Sequence, residues 1–250
     1  AKNYAPLGIN NTMKHLALDY LALQEPPTTP TNPSHNTQHD KLLDKEYTVY
    51  STNYNKIIIS SHLSSAIVDN TSFANGRGHL TTFKLPDKTI TICAIYDYQH
   101  NAKESLTNKY NTSTKILLRK YPETHIIVLG DFQTHTPSEV TQTLGTPRKI
   151  PPKHLLSNII NTTPPTYQSI IPYLHPDTPY LTRWNTTQGR ALDHIYIPVA
   201  LLHDIPHANI DYTVTQQYLD SDHELLYADL HYKADNTPPN TMVPPPHTKY

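Results

Sequence analysis

His125-Ile126-Ile127-Val128-Leu129-Gly130-Asp131-Phe132-Gln133 is the stretch on which the reading of this chain turns. Four consecutive apolar residues, three of them β-branched, predict a short strand buried on both faces, as in the centre of a sheet. The strand ends at Gly130, and the next residue is a carboxylate. A strand with both faces covered needs layers on either side of it, and the chain supplies candidates for those layers in both directions.

Upstream, Ala102 to Lys120 has helical spacing, with Leu106, Tyr110 and Leu117 able to share a face and Pro122 as the stop. Strands are predicted at Tyr20–Leu23, Tyr47–Ser51, Lys56–Ser60, Ser64–Val68, Leu80–Leu85 and Thr89–Ile95, the last two joined by the turn Pro86-Asp87-Lys88. Thr12 to Leu18 reads as a short helix, and Pro26 to Asp40 as a long loop rich in Pro, Thr and Asn. Downstream, Lys153 to Ile160 reads as a helix. Tyr180–Trp184 and Ala191–Ile197 flank a hairpin loop at Asn185–Gly189, and Asn209–Val214 and Glu224–Tyr232 complete the strands. Strands and helices in this mixture predict a layered α/β or α+β sandwich. Residues 1–233 are expected to form one domain, with 234–250, rich in proline, as a linker or tail.

The totals bound the function. At 250 residues the chain can bury a large core. Lys plus Arg number 20 against 21 for Asp plus Glu, a formal net charge of −1, so any surface for phosphate has to be local. The 16 histidines make the charge sensitive to pH near neutrality. A single cysteine, Cys93, excludes an internal disulfide and suits a reducing compartment. No apolar run reaches the ~20 residues of a membrane span, and no signal peptide is visible. The chain opens at Ala1 without an initiator Met, as expected of a domain cut from something longer.

Asp131 is not alone. Glu25 follows the apolar strand Tyr20–Leu23 and Gln24. Leu192-Asp193-His194 and Ser221-Asp222-His223 each follow a turn-rich stretch and lead into a strand. Singly, a carboxylate after a strand is most often a turn residue or a helix cap. Together, four strand-associated carboxylates and a terminal Asp-His form the donor set of divalent-metal phosphodiester chemistry.

The order Gln24-Glu25, Ile95-Tyr96, Gly130-Asp131-Phe132, Leu192-Asp193-His194 and Ser221-Asp222-His223 resembles the endonuclease/exonuclease/phosphatase superfamily, the DNase I-like fold. Within it the chain looks most like the endonuclease domain of non-LTR (LINE-type) retrotransposons, over roughly Gly8 to Tyr232. The resemblance implies a four-layer sandwich, with two mixed β-sheets packed face to face and helices outside. It implies that Glu25 binds Mg²⁺ (or Mn²⁺), supported by Asp222 directly or through water. His223 would bond the scissile phosphate, oriented by Asp193; Tyr96 would donate to the same phosphate; Asp131 would activate the attacking water or assist the leaving oxygen. The hairpin after Arg183 and Trp184, closed by Arg190, corresponds to one that probes the DNA minor groove in these enzymes. Trp184 would either serve there or pack at a strand end.

Two positions depart from the family pattern. Gln133 stands where the family has Asn, one methylene longer and therefore able to displace the attacking water. Near the N-terminus, Gly8-Ile9-Asn10 matches only the end of an Asn-bearing motif, which puts Ala5 at the position of the active Asn, with Asn3 or Asn10 able to serve if the alignment slips. The expected activity is nicking of one strand of double-stranded DNA in the nucleus, with a reverse transcriptase domain in the same polyprotein and no membrane. Two alternatives stay open: an abasic-site nuclease or phosphatase of the same superfamily, and a degenerate nucleic-acid-binding module.

Overall fold

The computed structural model describes residues 6–24, 46–97, 105–133, 155, 159, 166–178, 180–184, 189–219 and 221–233. In chain order the first half holds α1 (Pro6–His15), β1 (Tyr20–Gln24), β2 (Tyr47–Ser51), β3 (Asn55–Ser60), α2 (Ser61–Ser64), β4 (Ile67–Phe73), β5 (Gly78–Lys84) and β6 (Thr89–Tyr96). Then come α3 (Leu106–Lys120), β7 (His125–Asp131), β8 (Tyr167–Ser169), α4 (Ile170–Leu174), β9 (Arg183–Trp184), β10 (Gly189–Arg190), β11 (Asp193–Pro198), β12 (His207–Asp211), α5 (Tyr212–Tyr218) and β13 (Leu225–Asp229).

The sandwich has four layers. Its spine is a six-stranded sheet in the order β4-β5-β6-β7-β11-β8. Facing it are two smaller sheets, β1-β3-β2 and β12-β13. Ile57 and Ile59 of β3 meet Phe83 and Ala94 of the large sheet. Ala208 and Ile210 of β12 meet Ile127, Ile195 and Ile197. On the far side of the large sheet lies α3, with Leu106, Tyr110 and Leu117 against Leu80, Cys93 and Val128. Over the smaller sheets lie α1 and α5: Ile9 and Met13 cover Leu21, Leu23 and Ile58, joined by Leu219. The alternation within β1 follows, since Leu21 and Leu23 turn to α1 while Tyr20 and Ala22 turn inward.

The expected central strand is β7, parallel to β6 and antiparallel to β11. A parallel neighbour needs a crossover, which α3 provides. Ser105 caps that helix, its side chain accepting from Asn108 N–H at 3.3 Å. The hairpin at Pro86-Asp87-Lys88 forms, closed by Leu85 N–H to Lys88 O at 2.9 Å.

Four expected elements differ from the structure. The N-terminal helix runs over Pro6–His15 rather than Thr12–Leu18. Proline is at home at the first helical position. The end is set by Ala17 in the left-handed region, with Leu18 N–H reaching back to Met13 O at 2.9 Å. The strand expected at Ser64–Val68 is instead the single turn α2 followed by β4, an edge strand whose half-exposed pattern blurs its period. Asn209–Val214 is split, because Asp211 ends β12 and caps α5, accepting from Thr213 and Val214 N–H at 2.8 and 2.7 Å. The strand expected at Tyr180–Trp184 is regular only at Arg183–Trp184. The loops at Pro26–Asp40 and 185–188, the tail after 233 and most of Lys153–Ile160 lie outside the described residues. Leu155 and Ile159 are buried against the α3 side of the large sheet. No helix among the described residues is long and apolar enough to cross a membrane.

Candidate active site

Strand register brings the first site residues together. Tyr96 is the partner of Asp131 across the parallel pair β6/β7, and Asp193 is the partner of Asp131 across the antiparallel pair β7/β11. Three segments far apart in sequence therefore deliver their end residues to one edge of the large sheet. Gly130 permits this convergence. At its φ of +132° a Cβ would sit 2.0 Å from Ile95 O, so only glycine lets β6 and β7 close so tightly just before Asp131. Beyond it, Asp97 N–H donates to Asp131 O and Phe132 N–H to Leu192 O, both at 2.8 Å.

His223 arrives from the segment before β13. It forms a lone antiparallel bridge with Arg183, and its Nδ1 lies 2.8 Å from Asp193 Oδ2. Asp131, Asp193 and His223 each offer a ligand atom within 4.8 Å of the others. They line a small cavity of about 70 Å³ together with Ala22, Gln24, Thr215 and Ser221. Glu25, the next residue after Gln24, lies outside the described residues.

The electrostatics are those of two carboxylates with too little positive charge nearby. Asp131 is 4 % exposed. Burial and the charge of Asp193 push its carboxyl up to about 7, against the opposing pull of His223 and two hydrogen bonds from Gln133. Those bonds come from Gln133 N–H to Asp131 Oδ1 at 2.8 Å and from the Gln133 side-chain amide to Oδ2 at 2.5 Å. The extra methylene of Gln133 thus folds the amide back onto Asp131, with the backbone of Gln133 in the left-handed region at φ +53°. A hard divalent cation fits this arrangement. Its donors are carboxylate oxygens and one imidazole, and its charge would offset the burial and the nearby Asp193 charge that raise the Asp131 carboxyl.

The other expected residues divide. Tyr96 is 2 % exposed, its ring stacked on Tyr54 at 5.8 Å between centroids and 25° between planes. Asp222, expected to support the metal, ion-pairs with Arg183 Nε at 3.2 Å and lies 4.0 Å from His223 Nε2. That pair also engages the arginine expected to meet DNA. Arg190 is exposed and stands directly across the β9/β10 ladder from Arg183. Trp184 lies on β9 beside the undescribed tip of the hairpin. Asn10, expected near the end of a strand motif, sits instead in the middle of α1, 8 % exposed. The helix forms because Pro6 opens it and its apolar face covers β1.

Sequence reasoning missed Thr182 and Tyr180, both buried. Thr182 Oγ1 lies 2.7 Å from Asp193 Oδ2, and the Tyr180 hydroxyl donates to Asp193 O. A threonine and a tyrosine before a hairpin carry no spacing signal, so nothing in the chain marked them.

No protein-family model matches the sequence, and neither does any curated protein. Solved structures do match. An AP endonuclease from Leishmania major superposes with a TM-score of 0.67 at 15 % identity, covering 90 % of this chain and 82 % of that one. The endonuclease domain of TRAS1, a telomere-specific non-LTR retrotransposon, gives 0.59 at 14 %, with 90 % of each chain covered. A 3′ phosphatase from Neisseria, solved with a product DNA hairpin, gives 0.58 at 15 %, covering 90 % and 93 %. The layers, the sheet order and these superpositions agree: the chain has the DNase I-like fold.

Proposed function

We propose that this chain is a divalent-metal-dependent endonuclease that nicks one strand of double-stranded DNA. The observation that carries the reading is the convergence of Asp131, Asp193 and His223, from three separate segments, on one small cavity. Glu25 and Asp222 would hold Mg²⁺ or Mn²⁺ beside the cavity that Asp131, Asp193 and His223 line. The ion, when bound, neutralises charge on the phosphate oxygens during in-line attack. Asp131 takes the proton of the attacking water as its oxygen bonds to phosphorus and the bond to the 3′ oxygen breaks. His223, held by Asp193, donates a hydrogen bond to a phosphate oxygen, and Tyr96 lies beside the same site. Arg190, exposed on the β9/β10 hairpin, would meet the duplex, and Trp184 of the same hairpin is a second candidate contact. In the nucleus, such a nick would leave a 3′-hydroxyl from which a reverse transcriptase of the same polyprotein could prime. The TRAS1 domain, with the same fold, supports that role.

Supercoiled plasmid, the same plasmid carrying an abasic site, and a phosphoinositide serve as substrates with Mg²⁺. Nicking of intact plasmid is expected, with a loss of at least ~10³-fold in His223→Ala and in Asp131→Ala. Cleavage confined to the abasic plasmid, or phosphate release without nicking, moves the assignment to a relative in the same superfamily. The folded-back amide of Gln133 favours one further reading, a binding module without turnover. That reading holds if DNA binding is salt-sensitive and no substrate is cleaved.

A further inference from the structure

His79 is buried between the two layers of strands, 4 % exposed. On β5 it stands opposite Ala94 of β6, and Ala94 and Phe83 pack against Ile57 and Ile59 of β3, so its side chain faces the smaller sheet. There its ring meets that of Tyr50 on β2, at 6.0 Å between centroids and 34° between planes. Neither ring nitrogen has a hydrogen-bond partner among the described residues. Its other cross-strand neighbour, Ser72 of β4, carries no charge. The titratable side chains that share this interface are phenols: Tyr50 of β2, Tyr20 of β1 and Tyr96 of β6. The charges closest by register are Arg77, two residues earlier in the chain, and Asp131, two strands away on β7. Neither offsets the loss of water, and burial alone pushes the imidazole down from 6.5 to about 4.

A protonated imidazole carries two N–H donors, and a charge without partners is costly to keep buried. Relief is nearest at β2, the edge of the β1-β3-β2 sheet, which pairs only with β3. The turn that follows β2 carries Tyr54, whose ring stacks on Tyr96. We propose that His79 is an acid-triggered latch: protonation of its ring drives the β2 edge away from the large sheet and withdraws Tyr54 from Tyr96. The opened state binds the proton more tightly than the closed one. The closed state is therefore fully favoured above pH 6.5 and loses ground about tenfold per unit as pH falls towards 4, roughly 300-fold in all. The latch is independent of the endonuclease reading and holds whether or not the chain cuts DNA.

The test follows amide hydrogen exchange of the full chain from about pH 7.5 to about pH 4.5, corrected for the intrinsic pH dependence of exchange, in the wild type, His79→Phe and His79→Gln. Phenylalanine keeps a ring beside Tyr50 and cannot take up a proton. In the wild type, β2 and β3 amides should lose protection about tenfold per unit below pH 6.5, while β6 and β7 amides hold. In the Phe variant, β2 and β3 should stay protected across the range. Histidines and carboxylates elsewhere titrate in both proteins and cancel in the comparison. The proposal is overturned if the wild type and the Phe variant lose β2 protection in parallel. It is equally overturned if β6 and β7 open in step with β2, since the acid response is then global unfolding. Should the Phe variant not melt cooperatively at neutral pH, the Gln variant decides by the same criteria.

Discussion

The two ends of the six-stranded sheet handle charge in opposite ways. At the site end, Asp131 and Asp193 are neighbours of like sign, and the buried member holds its proton up to about pH 7. At the far end, in the β5/β6 turn, Lys88 meets Asp204 at 2.5 Å and Asp87 at 3.5 Å, and donates to His231 O at 3.2 Å. The bond from Lys88 holds Asp204 below the usual carboxylate range. Partial burial works against the charge of Lys88, but Asp204 outweighs it and raises the ammonium. One end is a balanced clasp that ties the C-terminal segment to the sheet. The other sets a buried carboxyl beside a second one with a single imidazole, a donor arrangement suited to a cation.

The largest way to break this contrast is Asp131→Asn. A carboxyl whose folded pKa is raised binds more protons in the folded state, so stability declines as pH rises from about 4 through about 7. The neutral amide removes that decline. Near pH 4 the variant and the wild type should melt alike. Above pH 7 the variant should be the more stable, by on the order of 2–4 kcal/mol, while cleaving nothing. Mg²⁺ should raise the melting temperature of the wild type more at pH 8 than at pH 5. Equal melting curves across this range would remove the strain from the account.

Lys88→Met addresses the other end, with a smaller effect. The depressed Asp204 contributes stability that is present above its unfolded value of 3.8 and is lost as pH falls through the folded value. The raised Lys88 contributes until pH climbs past its own folded value, above 10.5. Thermal melts should therefore show a loss of about 1 kcal/mol at pH 7, shrinking in acid, with nicking unchanged. A change in cleavage rate would mean that the two ends are not independent.

Gln133→Asn gives the smallest shift in stability. Asn tolerates the left-handed backbone at this position better than Gln, so a gain of about 0.5 kcal/mol is expected. The shorter amide cannot fold back in the same way, and the nicking rate should rise by up to ~10-fold. A slower variant would show that the amide works from where it now lies.

Much of this could be seen in the sequence. The run Ile126–Leu129 is the central strand, because continuous β-branched and apolar residues are compatible with burial on both faces. Leu106, Tyr110 and Leu117 are the buried face of α3, since their spacing needs only the helical period. Asp131, Asp193 and His223 were legible as strand-end residues, and the structure joins them. Local signals were less reliable where two geometries compete. Asp211 reads as the end of a strand and also as a cap, and Asn10 carries nothing that separates a helix from a strand end.

What the sequence determined by itself were periods and ends: which residues are apolar, how they repeat, and where a glycine or carboxylate follows. These are local properties, set by side-chain chemistry and backbone sterics within a few residues. The tertiary structure alone decided registers and partners. Whether Asp193 faces Asp131 and whether Asp222 turns to Arg183 depend on contacts between segments tens of residues apart. No repeat in the chain encodes such contacts, and they exist only once the sheets have closed.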